Sequence, residues 1–89
     1  MRREWYTEEE LELYDRVSDH IKWYSEKSIT NISTNGIFNL LLRGDIRSID
    51  RLVMASPEEI EKIHGVGRGV KFGLIMALKI KLEESKESL

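Results

Sequence analysis

Along the chain, apolar residues recur mainly at intervals of three and four, and no segment reads as a strand. Residues three or four apart share a face of a helix, whereas residues two apart share a face of a strand, so the periodicity predicts an all-α fold. Apolar burial alone has to hold such a fold together here. The 89 residues include no cysteine, which excludes disulfide staples, thiolate metal cages and a cysteine nucleophile and suits a reducing cytosol. With 40% apolar residues, 34% charged and one proline, the expectation is one small domain over 1–89.

Local signals divide that domain into five helices. Thr7 with Glu10 three residues on makes a capping box, and a first helix follows over about 8–26, within an N-terminal extension of 1–27. Its stripe is Leu13, Tyr14, Val17, Ile21 and Tyr24, with His20 at the border and Trp23 off the edge. The carboxylates Glu8, Glu9, Glu10 and Glu12 read as a solvated run at the helix start. Five of the seven aromatics fall in this region, so it either packs on the chain's own core or offers Trp5 and Trp23 to a protein partner.

The polar, β-branched segment 28–34 reads as an extended connector. A second helix is expected over 35–43, with Gly44 as its left-handed stop. Ser48 can cap a short helix bearing Ile49, Leu52 and Val53, and Ser56-Pro57-Glu58-Glu59 starts another, with serine as cap and proline in the first turn. The last helix is placed at 69–84, closing a core of 35–84 and leaving 85–89 as a frayed tail. From Phe72 to Leu78 it is apolar or glycine throughout, which predicts burial on more than one side. Gly69, Gly73 and Ala77 would let a neighbouring backbone come close, within the chain or in a homodimer, so monomer and homodimer both stay open.

Formal net charge is −2, but it is unevenly spread. Residues 1–27 carry five basic against eight acidic groups, and residues 28–81 carry eight basic against five acidic. The basic middle is where a polyanion would bind. Within it lies Ile60-x-x-Ile63-x-Gly65-Val66-Gly67, between a helix start and a long apolar helix. Two glycines around one apolar residue allow a tight turn with positive φ, and the next helix N-terminus directs free N–H groups outward. Such a turn can hold a phosphate without reading a base, and Arg68 and Lys71 add charge beside it. A plain helix-connecting turn is the alternative reading.

This segment resembles the helix-hairpin-helix motif of DNA-binding proteins that do not read sequence. Over residues 32–82 the order of elements is similar to the C-terminal domain of the bacterial RNA polymerase alpha subunit. The similarity lies in a helix after a Ser/Thr start, an Asn followed by leucines and Arg-Gly-x-Ile, the Ile49/Leu52/Val53 helix, and the Gly67 hairpin. The resemblance implies double-stranded DNA and transcription proteins as partners, Asn39 as a groove or sugar contact, and Gly65, Val66, Gly67, Arg68 and Lys71 as the backbone-contacting set. It departs from the family where the groove-inserting arginine would stand, at Asn35 or Gly36, and after Gly67, where Arg68, Gly69 and Val70 keep one cation and no hydroxyl. Arg43, Arg47 and Arg51 read either as further phosphate contacts or as a solvated face.

Nothing in the sequence points to catalysis or a cofactor. His20 and His64 are far apart in sequence and fit no metal or triad spacing, and His64 reads as turn packing. The segment MRREWYTEEEL has no apolar signal core, and no window approaches the roughly 18 apolar residues a membrane span needs. A non-enzymatic cytoplasmic module is the expectation.

Overall fold

A computed structural model describes residues 2–27 and 32–87, and every regular element among them is helical. After a short 3-10 turn at Arg3–Trp5 come α1 (Glu8–Lys27), α2 (Thr34–Arg43), α3 (Ile49–Met54), α4 (Pro57–Glu61) and α5 (Val70–Glu87). The all-α expectation holds, with the five helices in the expected order. Part of the expected connector, 28–31, and the last two residues of the expected tail lie outside the described residues. The remainder of that tail, 85–87, continues α5 as helix.

Short-range capping explains most of the boundaries. The Thr7 amide donates to Glu10 Oε1 (2.8 Å) and the Glu10 amide to Thr7 Oγ1 (3.1 Å), closing the capping box at the start of α1. Ser33 Oγ accepts from the Gly36 amide (3.0 Å), so α2 begins at Thr34, one residue earlier than expected. Ser48 and Ser56 accept from the Arg51 and Glu59 amides (3.0 and 3.2 Å), and Pro57 occupies the first turn of α4, where a missing N–H costs no bond.

The end of α2 corrects the reading of Gly44. That glycine keeps φ −86°, and the left-handed residue is Asp45, with φ +61°. The Asp45 amide donates to the Leu42 carbonyl (3.0 Å) and the Ile46 amide to the Leu41 carbonyl (2.8 Å), while Ile46 itself is buried. These are the paired bonds and the apolar anchor of a Schellman stop. Gly44 is needed for space instead, because a Cβ there would stand 2.5 Å from Ile63 Cδ1.

Leu13, Val17 and Ile21 of α1 are buried, and the helix packs chiefly on α2 and reaches α3. Phe38 lies at the centre of that contact, with the rings of Tyr6 and Tyr14 edge-on to it at 5.5 and 5.1 Å. Truncating so deeply buried a phenylalanine costs about 3–5 kcal/mol. On its other side the core is closed by α5, whose Leu74, Ile75 and Leu78 are buried as the helix packs on α3 and α4. Lys79 is buried on this face as well, its Nζ donating to the Val53 carbonyl (2.9 Å) near the C-terminal end of α3, where the helix dipole favours a cation.

Burial of α5 on a second side is less complete than expected. The aromatic stripe of α1 lies mainly on α2, and α1 meets α5 at His20, which hydrogen-bonds the Leu74 carbonyl (3.2 Å). No close backbone approach uses Gly69 or Gly73, since a Cβ on either would find no atom within 4 Å. Among the described residues, no helix is long and apolar enough to cross a membrane.

Candidate nucleic-acid interface

The turn from α4 to α5 is built on three apolar pegs. Ile60, Ile63 and Val66 are buried, which pins the loop to the core at every third residue. Between and beyond the last two, Gly65 takes φ +98° and Gly67 φ +62°, conformations glycine adopts without the penalty a Cβ would bring. At Gly65 a Cβ would also stand 2.9 Å from Leu40 Cδ2, so the turn is pressed against α2. The expected positive φ values are therefore present at both glycines.

The amides divide sharply. Val66 donates to the Ile63 carbonyl (3.1 Å), so this expected phosphate contact is instead a structural anchor with a buried side chain. Among the described residues no hydrogen bond reaches the amides of Gly67 and Arg68, while the turn over 64–68 closes weakly on the Gly69 amide. The two unbonded amides lie just before α5, whose positive dipole end lies there, and the Gly73 amide bonds the Gly69 carbonyl (3.2 Å) to begin the helix.

Charge is distributed differently from the sequence expectation. Arg68 is exposed, but its Nε is paired with Glu61 Oε1, which offsets its charge. Lys71 and Arg43 make no ion pair among the described residues. Together with Ser33, Gly36 and Gly65 they line a shallow depression of about 400 Å³ between the start of α2 and the hairpin. Arg43 Nη1 donates to the His64 carbonyl (2.9 Å), which fixes the guanidinium beside the turn and gives His64 its role there through the backbone. No residue of α1 lines the depression, so the acidic helix does not cover it.

The other two arginines are compensated. Arg47 bonds Glu10 Oε2 (2.7 Å) and Asp45 Oδ1 (3.2 Å), and Arg51 bonds Glu59 Oε2 (2.7 Å). Glu10 is thus buried rather than part of a solvated run, because the Thr7 amide and Arg47 supply its hydrogen bonds across α1 and the loop before α3. The Thr7 backbone bond, reinforced by Arg47, holds the Glu10 carboxyl below its ordinary pKa. Arg51 does the same for Glu59.

The remaining sequence candidates lie elsewhere. Asn39 is exposed on α2 but is not among the residues lining the depression. Trp5 is 69% exposed beside Arg2, whose guanidinium lies 5.2 Å from the ring centroid. Trp23 is 43% exposed and stacked on His20 (5.9 Å, 17°), with Lys81 Nζ 5.3 Å from its ring. Fifteen residues of α1 separate Glu8 from Trp23, about 22 Å of helix, so the two tryptophans do not share one surface. His20 is buried rather than at the border of the stripe, and its Nδ1 has no partner. Burial lowers its pKa, the Leu74 carbonyl opposes that, and nearby Lys81 adds to the lowering. Among the described residues, no three His, Asp or Glu side chains gather as metal ligands would.

No family model matches the chain, and no curated protein or solved structure matches it.

Proposed function

We propose that the chain is a non-enzymatic module that binds the phosphate backbone of double-stranded DNA through the α4–α5 hairpin, with little dependence on base sequence. The observation that carries this reading is the pair of unbonded amides at Gly67 and Arg68 just before α5, on the same hairpin whose Gly65 lines a depression with the unpaired cations Lys71 and Arg43. Amides at a helix start and nearby cations are complementary to a phosphate, and neither element discriminates among bases. The resemblance of residues 32–82 to the C-terminal domain of the RNA polymerase alpha subunit adds duplex DNA as the form of nucleic acid and a transcription-related setting. Asn35 and Gly36, where that family inserts an arginine, favour backbone contact over groove reading.

A fluorescence titration of labelled duplex at low salt tests this. Two neutralised phosphates predict a slope of log K against log salt of about −2, lowered by about 1 for each of Lys71→Ala and Arg43→Ala. Absence of binding, or a slope unchanged in the double variant, would remove the assignment. In that event the exposed Trp5 favours a second reading, a protein-interaction module with the same fold and no DNA binding.

A further inference from the structure

The C-terminal half of α1 meets α5 through a titratable side chain. Leu13 and Val17 hold the first half of the helix in the core, whereas toward α5 the packing is sparse. It leaves a hollow of about 170 Å³ between Arg16, Asp19 and His20 of α1 and Leu78, Lys81 and Leu82 of α5. His20 is only 3% exposed beside that hollow, with its Nε2 3.2 Å from the Leu74 carbonyl. A carbonyl only accepts, so Nε2 carries the proton and the neutral ring leaves Nδ1 as a bare lone pair. Among the described residues, Nδ1 is the one buried side-chain polar atom without a partner. A second proton can enter the ring only there, and nothing in the joint accepts the N–H it would create.

The surrounding charges do not favour that proton either. Arg16 and Lys81 line the hollows beside His20 together with Asp19 and Glu84, two cations with two carboxylates, so burial of the ring decides the balance. The same balance holds its pKa below 6.5, with burial the main cause, the Leu74 carbonyl opposing it and Lys81 adding to it. Lys81 Nζ also lies 5.3 Å from the ring of Trp23, on which His20 stacks at 5.9 Å, and Tyr24 meets the imidazole edge-on at 5.6 Å. Charging His20 would set a second cation against one indole.

We infer that His20 is an acid-sensitive latch: the neutral ring holds the C-terminal half of α1 on α5, and on protonation the ring leaves the joint and frees α1 from His20 onward. In water the imidazolium finds acceptors for both of its N–H groups, which the closed joint cannot supply. Leu13 and Val17 keep the first half of the helix in place, so the opening is local. Ile21, 7% exposed, has to leave with His20, and its burial keeps the latch shut while the ring is neutral.

Trp5→Phe leaves Trp23 as the one indole, so its fluorescence reports the joint. In the full chain carrying that change, Trp23 emission and the far-UV helical signal are followed together from about pH 8 to pH 4. The emission should change with a midpoint below about pH 6.5, and the main loss of helical signal should come only at lower pH. Amide exchange, corrected for intrinsic chemistry, should show protection of residues 20–26 falling at least about tenfold between neutral pH and about pH 5, while residues 10–17 keep theirs. His20→Gln, whose amide still donates to the Leu74 carbonyl, should lose both changes. The exchange comparison needs no substitution at His20, so it decides the matter even if that variant does not fold. An emission that stays constant, emission and helicity changing together at one pH, protection lost equally along α1, or a transition that survives in folded His20→Gln overturns the proposal.

Discussion

Two turns in this molecule contain glycine, follow a helix and carry arginine, yet they differ in what they leave unsatisfied. At the α2–α3 turn the amides of Gly44, Asp45 and Ile46 all donate to carbonyls of α2, and Arg47 is held by Glu10 and Asp45. At the α4–α5 turn the amides of Gly67 and Arg68 are left unbonded, and Lys71 and Arg43 lack carboxylate partners. The first turn is a closed structural joint and the second an open one. Glycine content does not separate them; the residual hydrogen-bonding capacity and charge do.

The largest predicted contrast comes from disabling each turn at its own strong point. Ile46→Ala removes the buried anchor of the closed turn and should cost about 2–5 kcal/mol in chemical denaturation, while the folded fraction binds duplex with unchanged affinity. Arg43→Ala with Lys71→Ala should leave the denaturation midpoint nearly unmoved and reduce duplex affinity by about tenfold or more at low salt. If the two variants exchanged these outcomes, the division between a structural and a binding turn would be lost. A step smaller is Gly65→Ala, where left-handed strain of about 1–3 kcal/mol adds to the contact with Leu40. Gly67→Asn, at φ +62° in open space, should be nearly neutral in the same melt.

Much of the helix layout was legible because its signals are local. Thr7, Ser33, Ser48 and Ser56 each find an amide three residues on, and Pro57 fits only the first turn of a helix. What the sequence hid depends on residues brought together by the fold. Gly44 looked like a left-handed stop, but its need is set by Ile63, and the stop itself fell to Asp45. Glu10 looked solvated because Arg47 is 37 positions away. Within the candidate site the conformations of Gly65 and Gly67 were readable, since glycine advertises them. The charges were not: Glu61 takes Arg68, while the His64 carbonyl positions Arg43.

The closed side of the molecule also predicts an acid sensitivity in two steps. His20 titrates below its ordinary 6.5 when folded, so from about pH 6.5 downward the unfolded chain binds a proton that the native chain does not, and stability falls until the native value is passed. His20→Gln, whose amide can still donate to the Leu74 carbonyl, should flatten that window. Glu10, lowered from 4.5, contributes stability that is complete above that pH and is lost as pH falls through its native value. Thr7→Ala keeps the backbone amide that donates to Glu10, so it should leave most of this second step in place while costing about 1 kcal/mol at neutral pH through the lost side-chain cap, whereas Arg47→Ala should reduce the step. Thermal melts across pH 3–8 would separate the two, and a His20→Gln profile parallel to the parent's would remove the first.

The smallest expected effect sharpens the comparison most closely, because it converts a compensated cation into an available one. Arg68 lies in the open turn yet is paired with Glu61, a surface ion pair that contributes little to stability. Glu61→Gln should therefore leave the melting temperature within about a degree while raising duplex affinity two- to threefold at low salt, roughly 0.4–0.7 kcal/mol. The salt slope should steepen by up to about 1, and the gain should vanish at high ionic strength, where surface charges are screened. Arg68→Ala in the parent should do less than Lys71→Ala, and in the Glu61→Gln background the two losses should become similar. Equal losses already in the parent would mean that Glu61 does not compete with phosphate for Arg68, and the openness of the turn would then rest on its amides and on Arg43 and Lys71 alone.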